Sequence, residues 1–200
     1  GVDSVVFVYG RIGVGAGLTF KGRVFRGSSK GAGEIGHNAM MLQGGKPCRC
    51  GNNGCLETLV SESAILRQAE NIAMANPKGI LATILSKNPD SSPPIERVFE
   101  VTRQGDTQVQ EMIEERGRYL GVALANLVNL FNPELILLGG IFSRGEDLFI
   151  KPITQTIQQR AFGEMGKNVR VQATSFGWKA GVIGAASLAL LHFFYQQVED

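Results

Sequence analysis

All three cysteines of the chain fall within eight positions, in Cys48-Arg49-Cys50-Gly51-Asn52-Asn53-Gly54-Cys55, and His37 stands eleven residues before the first of them. A disulfide framework uses an even number of cysteines spread along a small domain, so this cluster does not read as one. Three thiols and one imidazole are a complete ligand set for a tetrahedral ion. Thiolates are soft donors that select zinc or iron–sulfur, and the imidazole favours zinc. Gly51 and Gly54 let the backbone fold tightly enough for near neighbours to converge on one ion. Four protein ligands leave no open position, so zinc held by His37, Cys48, Cys50 and Cys55 is expected to be structural rather than a Lewis-acid catalyst. The bland alternative is three reduced thiols in a loop.

Composition narrows the surroundings of that loop. Apolar residues make up 44% of 200, an ordinary globular share that excludes a disordered chain. There are 26 glycines, nearly double the usual ~7%, without the three-residue period of collagen. Twenty basic and eighteen acidic residues leave a net charge of +2. That balance gives no basic stripe for a nucleic-acid surface. The longest apolar stretch, Ala180 to Tyr195, is interrupted by Gly181, Gly184, Ser187 and His192. It is shorter than the ~20 residues a bilayer needs, so a buried C-terminal helix is expected and no membrane span. No basic segment leads into an apolar signal sequence, and the cytoplasm is the expected compartment. A start at Gly1 without Met reads as a fragment or a processed chain.

Along the chain, Val5 to Tyr9 reads as a strand, broken by the glycines of Gly10 to Gly17. Leu18 to Phe20 and Arg23 to Phe25 read as two more strands, with Lys21-Gly22 as their hairpin turn. Ser28 to Asn53 is a long loop, and loops of that length in compact domains are usually functional or disordered. A helix is expected from Ser61, as N-cap, toward Ala75, with Asn76-Pro77 ending it. Ser86 to Pro94 reads as a linker, Ile95 to Arg103 as a short helix. Asp106 is expected to cap a long helix to about Phe131, with Val109, Ile113, Leu120, Leu124 and Leu127 at helical spacing. A strand over Glu134–Leu138 ends at Gly139-Gly140. A helix from about Leu148 to Arg160, a strand over Val169–Ala173 and a helix over Ala180–Gln197 follow. Three antiparallel strands followed by two helix-separated strands predict an α/β fold: a mixed five-stranded sheet with helices on both faces. That order is similar to a ribonuclease-H-like lobe, one half of an actin-like ATPase.

Ala32-Gly33-Glu34-Ile35-Gly36-His37 together with Cys48-Arg49-Cys50-Gly51-Asn52-Asn53-Gly54-Cys55-Leu56-Glu57 resembles the ROK family, which contains sugar-responsive bacterial repressors and sugar kinases. Asn132-Pro133-Glu134-Leu135-Ile136-Leu137-Leu138-Gly139-Gly140 looks like the family's strand and glycine turn near the nucleotide base. Ala180-Gly181-Val182-Ile183-Gly184-Ala185-Ala186 looks like the start of its C-terminal helix. The resemblance covers essentially the whole chain. It implies that Glu34 and Glu57 accept hydrogen bonds from sugar hydroxyls. It also implies that His37 binds zinc through one ring nitrogen and faces the sugar with the other. Carboxylates suit a ring of hydroxyl donors because they only accept, and a metal would preorganise them.

Two departures turn the resemblance away from the kinases. Their phosphate loop has the pattern Gly-Thr-Gly-x-Gly-Gly-Gly, where this chain reads Arg11-Ile12-Gly13-Val14-Gly15-Ala16-Gly17. Ile12 has no hydroxyl for a phosphate. Arg11 keeps an attraction for phosphate, but its bulk blocks close backbone approach. Gly13, Gly15 and Gly17 are therefore expected to be a degenerate nucleotide-phosphate loop or only a turn between strands. Phosphorylation also needs a base. In the family this is an Asp in an Asn-Asp segment upstream of the glycine loop; the nearby acid here, Asp3, lacks that context, so the segment is expected before Gly1 if the parent has it, and this chain alone is not expected to phosphorylate a sugar. The helical region of about 61–130, with Arg103-Gln104-Gly105-Asp106 and Gly117-Arg118-Tyr119-Leu120-Gly121, looks more like the repressor branch. The resemblance thus implies one domain over 1–200, with a zinc loop over 34–57, that senses a sugar and forms a homodimer or tetramer. DNA would be reached only through an N-terminal domain outside this chain. The C-terminal lobe of an ATP-dependent sugar kinase is the alternative. Trp178-Lys179 reads as a surface loop and His192 as a packed histidine. Met40-Met41 and Phe193-Phe194 read as core or interface.

Overall fold

The structure, a computed structural model, describes residues 2–86 and 92–195, without the side chains of Trp178, His192 and Tyr195. Part of the expected linker, residues 87–91, and the end of the expected last helix, residues 196–200, lie outside the described residues. The reading of His192 as a packed histidine lies outside them too.

β1 (Ser4–Gly10) is the β-branched run, and it pairs antiparallel with β2 (Val14–Phe20). This hairpin is longer than expected. Gly15 and Gly17 lie opposite Tyr9 and Phe7 inside β2, and the turn is only Arg11 to Gly13. Glycine disfavours strands, but once Val5–Tyr9 and Leu18–Phe20 pair, the register carries the glycines into the ladder. β3 (Arg23–Phe25) continues antiparallel at the sheet edge, after Lys21 and Gly22 at positive φ. The long loop then holds one 3-10 turn, Ile35–His37.

A helical layer follows. α1 (Glu57–Val60) leads into α2 (Glu62–Ala75), where the Ser61 side chain accepts the Ala64 N–H as foreseen. α3 (Ile80–Ser86) was not expected; it packs between α2 and α4 (Pro94–Arg103) and buries Leu81. α5 (Thr107–Phe131) is capped by Asp106, whose carboxylate accepts the N–H groups of Gln108 and Val109 at 3.1 Å each. Asn132, left-handed at φ 43°, ends it. Then come β4 (Leu135–Gly140), α6 (Ile141–Arg144), α7 (Glu146–Arg160), α8 (Met165–Asn168), β5 (Arg170–Ala173), a 3-10 turn over Gly177–Lys179 and α9 (Ala180–Leu190). The chain leaves α9 in a π-helical turn, Leu191–Tyr195.

The sheet order is β3-β2-β1-β4-β5, with β1, β4 and β5 parallel. This is the ribonuclease-H-like arrangement of the actin-like ATPases. On one face Val6, Val8, Ile136 and Leu138 are fully buried in a core shared with Leu120, Leu124 and Val128 of α5. α5 and α7 share the most extensive contact among the described elements, and Gly117 and Gly121 admit Pro152 and Thr156 there.

The other sheet face departs from the expectation. Val5, Phe7, Tyr9, Leu135 and Leu137 are only half-buried and lie outside that core. α9 is not the buried helix foreseen: among its described residues only Ala180 is buried, and Val182, Leu188 and Leu190 are exposed. Phe193 and Phe194 are exposed as well, whereas Met40 and Met41 pack against the core. An apolar sequence needs a second surface before it is buried, and no described element supplies one for α9. Among the described residues no helix is long and apolar enough to cross a membrane.

Candidate functional site

Short pairings draw the long loop into a compact lobe. Ala39 bridges Cys55, and Pro47 bridges Asn53. The Cys48 N–H donates to Asn52 O at 2.7 Å, the Gly54 N–H to Lys46 O at 2.9 Å and the Leu56 N–H to Asn38 O at 2.9 Å. Gly51 and Gly54 take φ of +96° and +70°, the left-handed turns that return the chain. One ligand atom from each of His37, Cys48, Cys50 and Cys55 then lies within 4.8 Å of every other. The spacing of these atoms fits a tetrahedral metal. Ligand bonds of about 2.3 Å to sulfur and 2.0–2.1 Å to nitrogen imply edges of about 3.8 Å between sulfurs and about 3.6 Å between sulfur and nitrogen. Cys50 Sγ and Cys55 Sγ are 3.7 Å apart, and Cys48 Sγ is 3.6 Å from His37 Nδ1.

The thiols differ in surroundings. Hydrogen bonding from the Asn52 backbone holds the exposed Cys50 thiol below its ordinary range. Burial pushes the Cys55 thiol up to about 12. A thiol that loses its proton so reluctantly needs a cation beside it to ligate.

His37 turns Nδ1 toward the sulfurs and Nε2 toward Glu34, 3.9 Å from Oε2. Glu34 stands at the rim with its side chain 70% exposed. Its segment is tied to β2 by the Ala16 N–H, which donates to Gly33 O at 2.7 Å. Glu57, at the first turn of α1, is held on both oxygens. Oε2 accepts the Val14 N–H at 3.1 Å, and Oε1 pairs with Arg49 Nε at 3.2 Å. A Cβ on Gly13 would stand 2.8 Å from Glu57 Oε2, so the glycine turn and this carboxylate are in close contact. Glu34, His37 and Glu57 together line one open cavity of about 480 Å³, shared with Tyr9, Arg11, Ile12 and Arg49. Two carboxylates and one imidazole edge on one wall can accept and donate hydrogen bonds to a small polyhydroxylated molecule.

Of the expected glycine loop, Gly13 and Gly15 line this cavity, whereas Gly17 lies in β2 and does not. Ile12 at the turn is 72% exposed. Sequence reasoning missed Arg49 as a partner of Glu57. Its position between two cysteines of the candidate metal cluster was the available signal, since a residue there is fixed by the loop. It also missed Arg144, which follows β4 on α6 and pairs with Glu96 at 3.3 Å.

A family model described as the ROK family matches residues 1–191. The chain is 33% identical over 188 residues to a glucokinase of Halalkalibacterium halodurans, covering 94% of this chain and 56% of that protein. It is 30% identical over 190 residues to a xylose repressor of Caldicellulosiruptor bescii, covering 94% of this chain and 46% of that protein. The crystal structure of a ROK family transcriptional regulator, a homologue of the E. coli Mlc protein, superposes with a TM-score of 0.76 at 35% identity. That match covers 86% of this chain and 42% of the regulator. The chain thus spans about half the length of the curated relatives it matches.

Proposed function

The chain belongs to the ROK family, and from that premise we propose that it is the sugar-sensing, oligomerising C-terminal domain of a ROK-type transcriptional repressor with a structural zinc. The convergence of Glu34, His37 and Glu57 on one cavity beside four metal-competent ligand atoms carries this reading. His37, Cys48, Cys50 and Cys55 would hold the zinc, and the ion would fix the His37 ring and the loop that carries Arg49. His37 Nε2, Glu34 and Glu57 would then meet sugar hydroxyls in a preorganised array. A sugar that binds one arrangement of the protein better than another shifts its population, and DNA binding by an N-terminal domain would follow. The same protein would act as a homodimer or tetramer in the cytoplasm.

The repressor reading is favoured over a kinase lobe by the turn itself. Arg11-Ile12 offers neither the hydroxyl nor the open backbone that a nucleotide phosphate needs. The glucokinase relative keeps the kinase lobe as the second reading. The test uses the full-length protein: elemental analysis, calorimetric titration with glucose, xylose and N-acetylglucosamine, and a phosphotransfer assay with ATP. One zinc per chain, sugar binding lost in Glu34→Ala, and no phosphotransfer are expected. Phosphotransfer would move the assignment to the kinases; absence of both zinc and sugar binding would overturn it.

A further inference from the structure

Charge is balanced over the whole chain but not along it. No acidic residue stands between Asp3 and Glu34, whereas Lys21, Arg23, Arg26 and Lys30 place four cations in ten positions. They surround β3. Lys21 occupies the hairpin turn, Arg23 lies on the strand, and Arg26 and Lys30 follow it. All four are exposed, and among the described residues none of their side chains has an ion pair or a hydrogen bond. The loop that carries Lys30 closes on itself, because the Ala32 N–H donates to Arg26 O at 3.1 Å. β3 is the edge of the sheet. Its hairpin turns in two residues, both at positive φ, and Phe20 pairs with Arg23 across that turn. The pair that closes a two-residue turn is hydrogen-bonded and the pairs then alternate, so Val24 falls in a non-hydrogen-bonded pair with Thr19. The Val24 N–H and C=O therefore point away from β2, and among the described residues they meet no other backbone.

An apolar groove of about 290 Å³ borders this edge, between Phe25 of β3 and Leu127, Leu130 and Phe131 at the end of α5. The Phe25 and Phe131 rings lie 6.4 Å apart, and Leu130 is 74% exposed. Among the lining residues only Glu34 is charged. We propose that the β3 edge docks an extended acidic segment of a partner protein, which adds as a sixth strand and places one apolar side chain in the groove. Val24 offers the new ladder a donor and an acceptor, the cations give charge complementarity at both ends of β3, and the groove takes the apolar anchor. At about 3.3 Å per residue, Arg23 and Arg26 are about 10 Å apart, so carboxylates near both ends of a short extended segment reach them. Glu34 repels those carboxylates from the groove and keeps them along the edge. A second copy of β3 does not fit, because pairing two such edges would bring the four cations of each copy together. A nucleic-acid backbone or an anionic bilayer would meet the cations but leave the Val24 ladder and the concave groove unused.

The test titrates the full-length protein with a short acetylated peptide of alternating Glu and Val, the same peptide with Lys for Glu, a duplex DNA and phosphatidylglycerol vesicles. The acidic peptide is expected to bind about tenfold or more tightly than the Lys peptide, and about tenfold more weakly when salt is raised from about 0.05 to about 0.5 M. Arg23→Glu and Arg26→Glu should each weaken it about tenfold. Leu130→Asp, in the groove, and Val24→Pro, which removes the edge donor, should each weaken it about fivefold or more. All four positions are exposed, so the far-ultraviolet spectrum of each variant should match that of the unaltered protein. Equal binding of the two peptides would overturn the inference, as would acidic-peptide binding that survives Arg23→Glu and Arg26→Glu. DNA or vesicles that bind more tightly than the acidic peptide, and do so equally well in Leu130→Asp, would overturn it in favour of a general anion surface. No binding by any of the four would also overturn it and leave the cations as a guard against strand pairing.

Discussion

Truncating Glu57 separates the two partners that hold it. Glu57→Ala leaves the buried Val14 N–H without an acceptor, and an unmet buried donor costs about 1–3 kcal/mol. Glu57→Gln keeps an acceptor for Val14 and loses only the pair with Arg49, whose side chain is 66% exposed, so its cost is under about 1 kcal/mol. Denaturant unfolding of the two variants checks the order. A second residue-scale test uses Arg103, which donates to both oxygens of Asp147 at 2.8 Å and holds its carboxyl below the usual carboxylate range. A depressed folded-state pKa gives stability that is present above the unfolded value of about 4 and is lost as pH falls through the folded one. Both side chains are more than a third exposed, so solvent screening limits the effect to under about 1 kcal/mol. The stability gap between the protein and Asp147→Asn should therefore be present at pH 7 and close on acidification toward pH 2. A gap unchanged with pH would show that Arg103 does not act through the Asp147 charge. Of these partnerships the sequence shows the residue types and not the pairings: Glu57 and Val14 are separated by 43 positions, Arg103 and Asp147 by 44.

Elements whose instructions are local were legible. Asp106 and Ser61 were recognisable caps because a short acceptor side chain before an apolar-periodic run has few other uses. The α5 span followed from its spacing, and β1 from its β-branched residues. Elements decided by their neighbours were not legible. β2 extends through glycines because β1 templates it, α3 forms where α2 and α4 leave a groove for Leu81, and α9 is apolar without being buried. The α5–α7 contact belongs to this class. Gly117 and Gly121 are four positions apart and face one side of α5. A Cβ at either would stand 2.6 Å from Pro152 Cγ or Thr156 Cβ. Gly121→Val should force the helices apart and cost about 2–3 kcal/mol, read as a lower midpoint in urea with an unchanged slope. Gly105→Ala, with no atom within 4 Å of its Cβ but φ at +89°, separates backbone strain from overpacking.

At the scale of the whole molecule, the loop and the core are two structures joined at Cys55 and Leu56. The sheet and the helical layer share a continuous apolar core that includes Leu56, Leu59 and Val60 immediately after the last cysteine. The loop before it has Ile35, Met40 and Met41 against that core and is otherwise held by isolated bridges, backbone hydrogen bonds, the Arg49–Glu57 ion pair and the contacts among His37 and the three thiols. If zinc joins His37 to the three sulfurs, it supplies the cross-links that an apolar core supplies elsewhere. Its removal should then act locally. A strong chelator is expected to leave the far-ultraviolet helical signal nearly unchanged, because α5 and α7 keep their packing. Amide exchange over residues 38–55 should become fast while β1, β4 and α5 stay protected. Sugar affinity should fall with the loop, because Arg49 would no longer be aimed at Glu57 and His37 would be free to rotate. Hydrogen exchange by mass spectrometry, with and without chelator, reads both regions in one experiment. Loop protection that does not respond to the chelator would mean that the bridges hold the fold unaided and that the four ligand atoms do no structural work. Exchange rising together in the loop and in β1 would instead make the ion part of the global stability, and the division into a metal-held loop and a self-sufficient core would fail.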